Sequence, residues 1–542
     1  MAKLRTLWVL LCISGLLTAC MGNSSSSPTP SASITDQNIS NVFTIIAGSE
    51  QKAILDKIVL PWCKTQNYTC QYTLKGSVDQ AVLLQSGNVP YDAMWFASTA
   101  FWQVGDTQGR LKNVKPMFSS PVVFAGHKSI ITQLGFDKRP VTVADILSVA
   151  TTGKAHVWMT NPSQSNSGAT AYLAFLNSFA GNGPGQALTL DQLNSHPVQD
   201  QITQFVRALD HTSPSTGTLM SSCLADPDRC QTLFTYEALV IEADQQLVKD
   251  GKEPLYAVYP TDGTAIADSP LGFMPHNDAK KEQIFGQLQA YLLSAPAVAQ
   301  IQALGRRAGT IGLTMPNADK AVFNPDWGID TTRVIQPITY PDAGVITTAL
   351  SLYQTSFRSP VHAVYCLDGS GSMGDNNGWT QLKSASEIIF DQSKATQYYL
   401  QSHADDDTSV MIFNGDVAAG PWTVHGNDAK QMRGLYDNIN SRSPNDGTNM
   451  YKCLNRAMQM FAASKGETRK RLLIVMTDGQ SDTEGSEQFK RTLAADKIPV
   501  ISVAFGSDAD KSQLKELADL SGGTVVDQAN LVDALREATG YK

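Results

Sequence analysis

The sequence feature that most constrains this chain is the hexapeptide at residues 368–373, Asp-Gly-Ser-Gly-Ser-Met, which directly follows the largely apolar run 361–367. β-Branched and aromatic residues in that run predict a buried strand, and the glycines predict an abrupt turn at its carboxyl end. Open α/β sheets bind ligands at such turns. One carboxylate and two hydroxyls at alternate positions direct hard oxygen atoms to one point, and this is the donor type that Mg²⁺ and Mn²⁺ prefer.

Two other ligand motifs share parts of this pattern. Residues 369–374 read G-x-G-x-x-G, as in dinucleotide-binding loops, but Asp368 would then face a pyrophosphate, and no acidic residue ends a second strand about 20 residues on. An EF-hand loop needs glycine at its sixth position and glutamate at its twelfth, where this chain has Met373 and Trp379. The hexapeptide alone therefore leaves two interpretations, a metal-binding loop and a Gly/Ser turn without a ligand.

Two segments that are distant in sequence favour the interpretation as a metal-binding loop. Gly447-Thr448-Asn449 precedes a helical pattern of apolar residues, and the apolar strand 472–477 ends in Asp478-Gly479. With these segments, residues 361–540 resemble the von Willebrand factor A domain, in which D-x-S-x-S, a lone Thr and T-D-G form a metal-ion-dependent adhesion site. The resemblance implies a doubly wound, mostly parallel, Rossmann-like sheet over residues 361–542 and a bound Mg²⁺ (or Mn²⁺ or Ca²⁺). It implies hydroxyl ligands from Ser370, Ser372 and Thr448, and ligation mostly through water from Asp368 and Asp478.

Length and charge bound the rest of the architecture. A chain of 542 residues exceeds one hydrophobic core, which stops growing near about 250–300 residues, so two or three domains are expected. The formal net charge of −8, with no basic cluster, argues against a nucleic-acid-binding groove.

The amino-terminal residues predict export. Lys3 and Arg5 precede an apolar run at 7–17, so residues 1–19 read as a signal peptide. The alternative, a short membrane helix, is disfavoured because the run has fewer than the roughly 20 apolar residues that span a bilayer.

The signal ends in Leu-Thr-Ala-Cys, which resembles a bacterial lipobox. The resemblance implies cleavage before Cys20 and a lipid anchor on that residue, which holds a protein at a membrane face without spanning it. Residues 20–38 are then a Ser/Pro-rich tether. We expect a cell-envelope location, at the outer membrane in a Gram-negative cell, because Met21 rather than Asp follows the lipid cysteine.

The cysteines beyond Cys20 fit an oxidising compartment. Cys63 and Cys70 enclose a polar stretch and Cys223 and Cys230 enclose a turn, so two local disulfides are predicted. A zinc site is disfavoured, because neither pair has metal-ligand spacing or nearby histidines.

The last two cysteines lie beneath the expected metal site. Cys366 precedes Asp368 by two positions and therefore lies on the same side of the strand, and Cys453 lies in the first turns of the helix that follows Thr448. Two alternatives stay open for this pair, a third disulfide from Cys366 to Cys453 or two buried thiols that act as small apolar residues.

Residues 39–340 repeat one pattern, an apolar strand, a turn rich in serine or threonine, and a helix. This alternation predicts a parallel α/β layer. The turn residues are candidates for binding a small polar or anionic solute, because helix starts present free N–H groups, and ordinary helix capping is the alternative. These candidates are Ser49, Ser77, Ser98, Thr99, Ser165, Asn166 and Ser167.

The same turns, together with Tyr236-Glu237 and residues 267–272, resemble the bacterial extracellular solute-binding proteins of the two-lobed periplasmic type. The resemblance implies two lobes that close on a solute, with Glu237 as a further candidate ligand. It also implies that the chain crosses between the lobes more than once, and we place the crossings near Pro121 and Pro254.

Residues 341–360 carry a helical pattern and join the two-lobed module to the A-type region. The junction is short, so we expect the two parts to pack together. Asp405-Asp406-Asp407 is expected to be a solvated loop, since consecutive carboxylates point apart.

These features predict a binding protein. The leading hypothesis is adhesion or scaffolding, in which the A-type domain holds a protein partner through its cation. The alternative is a receptor component for solute uptake or sensing, with the A-type domain as an accessory. We expect no enzymatic activity, because the sequence shows no Ser/His/Asp or Cys/His arrangement.

Overall fold

The structure, a computed structural model, describes residues 41–310, 312–375, 377–464, 466, 468–478, 480–505, 511–526 and 536. The predicted signal peptide, the lipidation of Cys20 and the tether lie outside these residues. Within the described part, no helix is both long enough and apolar enough to cross a membrane.

The described strands form three sheets. They are β1 (Val42–Ala47), β2 (Thr69–Leu74), β3 (Ala93–Trp95), β4 (Lys112–Pro116), β5 (Ser120–His127), β6 (Val157–Thr160), β7 (His211–Ser213), β8 (Thr232–Tyr236), β9 (Leu255–Val258), β10 (Ile266–Ala267), β11 (Pro270–Phe273), β12 (Val361–Asp368), β13 (Asp407–Phe413), β14 (Val417–His425), β15 (Lys470–Thr477), β16 (Val500–Ala504) and β17 (Thr524–Val526).

The first lobe is built on the sheet β2-β1-β3-β11-β4. Strand β1 pairs in parallel with β2 and β3, and β11 runs antiparallel to β3 and β4. Ile45 of β1 and Trp95 of β3 pack with Phe285 in one buried cluster, so a late helix completes the lobe that the first strand begins. The helices of this lobe are Lys52–Ile54, the π-helical turn Leu55–Val59, Leu60–Thr65, Ser77–Ser86, Thr99–Gly105, Ala279–Leu292 and Ala295–Ala303.

The second lobe is built on the sheet β10-β5-β8-β6-β7, with β9 paired to β5. Strand β5 is apolar and buried along nearly its whole length, as expected for a strand covered by helices on both faces. The helices of this lobe are Lys128–Gln133, Val143–Thr151, Asn166–Phe179, Leu190–Leu193, His196–Arg207, Thr216–Ala225 and Glu237–Lys249.

The chain passes between the lobes at 117–119, between β4 and β5, and at 268–269, between β10 and β11. The first crossing lies beside Pro121, where one was predicted. The prediction of a crossing near Pro254 is wrong. Pro254 leads into β9, and the antiparallel pairing of β9 with β5 keeps that segment in the second lobe.

The third sheet has the order β14-β13-β12-β15-β16-β17 and is parallel apart from β14. The predicted mixed α/β fold is thereby confirmed. Alternation along the central strand β12 divides the core: Val364 and Cys366 join the cluster on one face, and Tyr365 and Leu367 join the cluster on the other. The helices are Ser372–Asp375, Gly378–Phe390, Gln392–Gln397, Ala429–Asn440, Met450–Ala463, Ser486–Asp496 and Lys511–Ser521.

The sequence analysis did not predict β14. Its residues include Gly420 and Pro421, which weaken a strand pattern, and most of its side chains are at least partly exposed. Proline and glycine are tolerated here because β14 is an edge strand, whose outer side pairs with none of the described strands.

A connector of two consecutive helical segments, Ala343–Leu352 and the π-helical turn Tyr353–Phe357, leads into β12. The buried guanidinium of Arg358 then pairs with both carboxylate oxygens of Asp406, which also accepts the backbone N–H of Val361. The expectation of a solvated loop at 405–407 is therefore wrong for Asp406, and it is also wrong for Asp407, which is buried at the start of β13. The expectation missed the pair because Arg358 is distant in sequence.

Candidate functional site

The predicted metal loop lies at the carboxyl end of β12, between β13 and β15. Asp368 is fully buried there. Its Oδ1 accepts the backbone N–H of Ser370 at 2.8 Å, and its Oδ2 accepts the Thr477 hydroxyl at 2.5 Å. Glycine is required at position 369, because a Cβ there would lie 2.6 Å from the Ile412 side chain. The turn therefore holds Asp368 in one orientation.

A hydrogen-bonded series of side chains leads from this turn to the end of β15. The hydroxyls of Ser370 and Ser372 are 3.1 Å apart, and the Ser372 hydroxyl donates to Asp478 Oδ1 at 3.0 Å. Ser370 is buried, whereas Ser372 is exposed. The structure thus brings Asp368, Ser370, Ser372 and Asp478 together from two neighbouring strand ends.

Thr448 lies in a third loop that is tied to the same turn. The backbone N–H of Gly371 donates to the Asp446 carbonyl at 3.0 Å, and that of Asn445 donates to the Gly369 carbonyl at 2.9 Å. From the other side, the N–H of Asp482 donates to the Thr448 carbonyl at 2.8 Å. The loop that carries Thr448 is therefore fixed between the other two loops.

The electrostatics of this site favour a bound cation. Burial raises the pKa of Asp368, hydrogen bonds from Ser370 and Thr477 oppose the rise, and the nearby carboxylate of Asp478 adds to it. A cation beside these carboxylates would offset the cost of burying their charge.

The donor chemistry also fits Mg²⁺ or Mn²⁺. In the part of the chain that the structure describes, no three His, Cys, Asp or Glu side chains gather at one point. The donors are instead two carboxylates with neutral hydroxyls, all of them hard oxygen atoms. Such a set would leave a divalent ion with much of its positive charge.

The predicted solute ligands of the first lobe are largely used within the protein. The Ser77 hydroxyl accepts the N–H of Ala97 at 2.9 Å, and the Ser98 hydroxyl caps a helix by accepting the N–H of Ala100 at 3.2 Å. The Thr99 hydroxyl donates to Asp268 Oδ2 at 2.5 Å, which ties this lobe to the second crossing. The Ser98 contact matches the capping alternative, whereas Ser77 and Thr99 make other contacts within the protein.

In the second lobe, Glu237 is buried against Arg307. Arg307 Nε donates to Glu237 Oε1 at 2.8 Å and Nη2 donates to Oε2 at 2.6 Å, and the Tyr259 hydroxyl donates to the same carboxylate. Both charged side chains are completely buried. This ion pair joins the start of the helix Glu237–Lys249, in the second lobe, to the segment that follows the helix Ala295–Ala303 of the first lobe.

The remaining candidates lie where the lobes meet. The Ser49 hydroxyl of the first lobe accepts the N–H of Gly217 in the second at 2.9 Å. The hydroxyls of Ser165 and Ser167 lie 3.2 and 2.8 Å from that of Thr216. The Asn166 amide donates to the Tyr236 hydroxyl at 2.9 Å.

Among the residues that the structure describes, several buried polar atoms at the same junction have no hydrogen-bond partner. They include Oε1 of Glu50 and of Gln164 and Oδ1 of Asn166. Burial raises the pKa of Glu50 to about 7. Beside them runs a groove of about 500 Å³. It is lined from both lobes by Ser49, Lys52, Leu74, Lys75, Gly76, Asp79, Pro214, Ser215, Gly217, Thr218, Ser221 and Ser222.

Comparison with known families agrees with both parts of the geometry. Residues 43–307 match the family of bacterial extracellular solute-binding proteins, and residues 364–538 match the von Willebrand factor type A domain. The chain joins a solute-binding-protein-like module to a von Willebrand factor A domain. Among curated proteins, none matches the chain significantly.

Several solved structures are similar to parts of the chain. One is a von Willebrand factor type A structure from Catenulispora acidiphila, with 21% identity and a TM-score of 0.29 over 34% of this chain. The match spans less than half of that protein, 43%. A putative extracellular solute-binding protein from Bordetella parapertussis is 12% identical, with a TM-score of 0.36 over 58% of this chain and 98% of its own. The sulfate-binding protein SubI from Mycobacterium tuberculosis is 15% identical, with a TM-score of 0.39 over 55% of this chain and 94% of its own.

Further side chains, which were not among the predicted site residues, position the predicted metal-binding loops of the A domain. Thr477 holds Asp368, and its sequence signal is a hydroxyl that directly follows the apolar residues 472–476 of β15. The Ser481 hydroxyl accepts the N–H of Met450 at 2.8 Å, and the Asn449 side chain accepts that of Tyr451 at 3.1 Å. These two contacts cap the helix that follows Thr448, so they support that residue from the helix side.

A disulfide joins Cys366 to Cys453, with Cα atoms 6.0 Å apart. Of the two alternatives left open by the sequence, the structure contains the bridge. It lies two positions below Asp368 on β12 and three positions into the helix Met450–Ala463. The local disulfides Cys63–Cys70 and Cys223–Cys230 are also present, with Cα atoms 6.0 and 5.0 Å apart.

Proposed function

We propose that the A domain binds a divalent cation, Mg²⁺ or Mn²⁺, and through it an acidic side chain of a protein partner. The protein would then act as an exported, lipid-anchored adhesion or scaffold protein, not as an enzyme. The observation that supports the proposal is the hydrogen-bonded series from Asp368 through Ser370 and Ser372 to Asp478, with Thr448 in the adjoining loop.

Asp368 and Ser372 have distinct roles in this series. Asp368 is buried and pinned by two hydrogen bonds, so it fixes the floor of the site. Ser372 is exposed and lies on the side where a partner arrives. When bound, the cation supplies a positive charge that hydroxyl ligands leave largely uncancelled, so a carboxylate from the partner can complete its coordination.

Affinity capture of proteins from an envelope extract tests whether a partner binds through the cation. The immobilised full chain should retain a protein in Mg²⁺ buffer, release it when a chelator is added and retain it again when Mg²⁺ is restored. Asp368→Asn should retain none, and the matched control Asp437→Asn, on the exposed face of a helix, should behave like wild type. Retention that survives the chelator would contradict the proposed route through a cation.

A solute-binding role is a second candidate, which the groove between the lobes favours. Its walls come from both lobes and carry polar side chains from each, among them Ser49, Lys52 and Ser215. Hydroxyl and ammonium groups on the walls of a groove can form hydrogen bonds with a polar or anionic solute. Thermal unfolding of the full chain with panels of sugars, amino acids and oxyanions tests the idea. A solute that raises the unfolding temperature of wild type but not of Ser49→Ala would support it, and no shift with any compound would count against it.

A further inference from the structure

The connector, residues 343–357, touches both lobes of the module. Its first segment packs on the helix Thr99–Gly105 of the first lobe and on the helix Asn166–Phe179 of the second. Its second segment packs on the helix His196–Arg207, also of the second lobe. A segment that merely linked the module to the A domain would need to contact only one lobe.

The connector makes apolar contacts with both lobes. The connector side chains Val345, Ile346, Ala349 and Leu350 are buried in one continuous cluster. That cluster also contains Phe101 of the first lobe and Tyr172 of the second. If the lobes separated while the connector stayed in place, apolar surface of the connector would be exposed to water on one side.

Polar contacts fix the connector on the second lobe. The Tyr172 hydroxyl donates to the Ala349 carbonyl at 2.7 Å, and the rings of Tyr172 and Tyr353 meet edge to face with centroids 5.8 Å apart. The Gln354 amide donates to the Ser163 hydroxyl at 2.6 Å.

A side chain of the A domain spans the two lobes independently. Arg536 Nε donates to Asp79 Oδ1 in the first lobe at 2.6 Å, and Nη2 donates to the Ser163 carbonyl in the second at 2.5 Å. Arg536 is almost completely buried. Separating the lobes would break at least one of these charge-assisted bonds.

The connector is also held by the A domain. Besides the Arg358–Asp406 pair, the N–H of Ala404 donates to the Thr355 carbonyl at 3.1 Å, and a ring nitrogen of His403 lies 2.9 Å from the Ser356 carbonyl. Displacing the connector from the module would therefore move or strain the A domain.

We propose that the connector is a clasp that keeps the two lobes closed, so that opening the cleft requires the connector to leave one lobe. The clasp makes the module a closed support for the A domain, in contrast to an uptake receptor, which opens for each solute. The proposed closure requires the two-lobed module but neither the cation nor a solute. It is therefore tested independently of the proposed function.

The Gly217 amide is a natural reporter of lobe opening. It lies in the first turn of a helix, where N–H groups lack an acceptor within the helix, and its acceptor is the Ser49 hydroxyl across the junction. Its hydrogen exchange therefore rises when the lobes separate. The Lys75 amide, which donates to the Ala47 carbonyl inside the first lobe at 2.8 Å, reports whether that lobe stays folded.

The experiment compares Ala349→Arg, in the buried face of the connector, with Ala343→Arg, at the exposed start of the same helix. In the full chain, Ala349→Arg should accelerate exchange at Gly217 by at least about tenfold with no change at Lys75, because a buried guanidinium cannot be accommodated between the lobes. Ala343→Arg should leave both amides at wild-type rates.

A second variant is needed if Ala349→Arg disrupts the fold and thereby also accelerates hydrogen exchange at the Lys75 amide. Tyr172→Phe combined with Gln354→Ala removes the two hydrogen bonds that fix the connector on the second lobe, and with them the bond from Arg358 Nε to Gln354 Oε1. It should raise Gly217 exchange by about fivefold or more. Wild-type exchange at Gly217 as fast as in an unfolded chain, or unchanged exchange in a folded clasp variant, would overturn the proposal.

Discussion

The disulfide beneath the proposed metal site gives the most quantitative prediction. Cys366 and Cys453 are separated by 87 positions, and both are fully buried. In the chain-entropy model a bridge closing a loop of this length stabilises the folded state by about 4.6 kcal/mol. Replacing both cysteines with alanine should therefore lower the free energy of unfolding of the A domain by about that amount, with a smaller addition from the lost sulfur contacts.

A matched control comes from the same chain. Cys63 and Cys70 are only 7 positions apart, so the same model gives about 2.4 kcal/mol for their double alanine variant. That variant removes the same atoms from the module and leaves the A domain intact. The difference between the two variants isolates the effect of loop length.

Native-state hydrogen exchange measures the loss of stability in the strands of the A domain itself. Amides in the middle of β12 and β15 should exchange about 2,000-fold faster in the Cys366→Ala/Cys453→Ala chain, because each 1.4 kcal/mol corresponds to about a tenfold change. Their rates should not change in the Cys63→Ala/Cys70→Ala chain. Less than a tenfold acceleration, or peptide mapping that finds both cysteines as free thiols in oxidised protein, would refute the reasoning.

Three further predictions concern other parts of the chain. Asp406→Ala should destabilise the protein by about 3–5 kcal/mol, because it leaves the buried guanidinium of Arg358 without its partner, whereas Asp405→Ala, at an exposed position, should stay within about 0.5 kcal/mol of wild type in urea unfolding. The pKa of Glu50 lies at about 7 in the folded protein, above its ordinary value of 4.5, so the folded state binds more protons between these values and stability should fall as the pH rises from 4.5 to 7. Glu50→Gln should flatten that part of the stability curve, and an equal slope in both proteins would contradict the assignment. Cys20→Ser should move the protein from the membrane fraction to the soluble fraction of cells, and continued membrane association would argue against a lipid anchor.

The sequence was most informative where a polar side chain directly follows an apolar strand. The end of β12 could be predicted because a run of apolar residues stops at a glycine-rich turn that contains Asp368, and parallel strands place their carboxyl ends along one edge. The same logic placed Asp478 beside it, at the end of β15. Recognition of Thr448 needed the family resemblance, since a threonine before a helix is otherwise an ordinary capping residue.

Long-range polar pairs could not be predicted in the same way. Asp406 looks like one of three surface carboxylates until the fold brings Arg358 against it. Likewise, Ser77 and Ser98 carry the pattern of ligand-binding turns but are used to accept backbone N–H groups. Hydroxyls serve ligands and local backbone equally well, so their roles depend on neighbours that only the tertiary structure supplies.

The central claim is that the A domain holds a divalent cation, and calorimetric titration of the full chain with Mg²⁺ tests it most directly. Asp368→Asn is the informative variant, because it keeps the size of the side chain and removes its charge, and Asp437→Asn is the control. We expect one saturable site in wild type and in the control, and loss of that site in Asp368→Asn. Equal binding of Mg²⁺ by wild type and Asp368→Asn would contradict it.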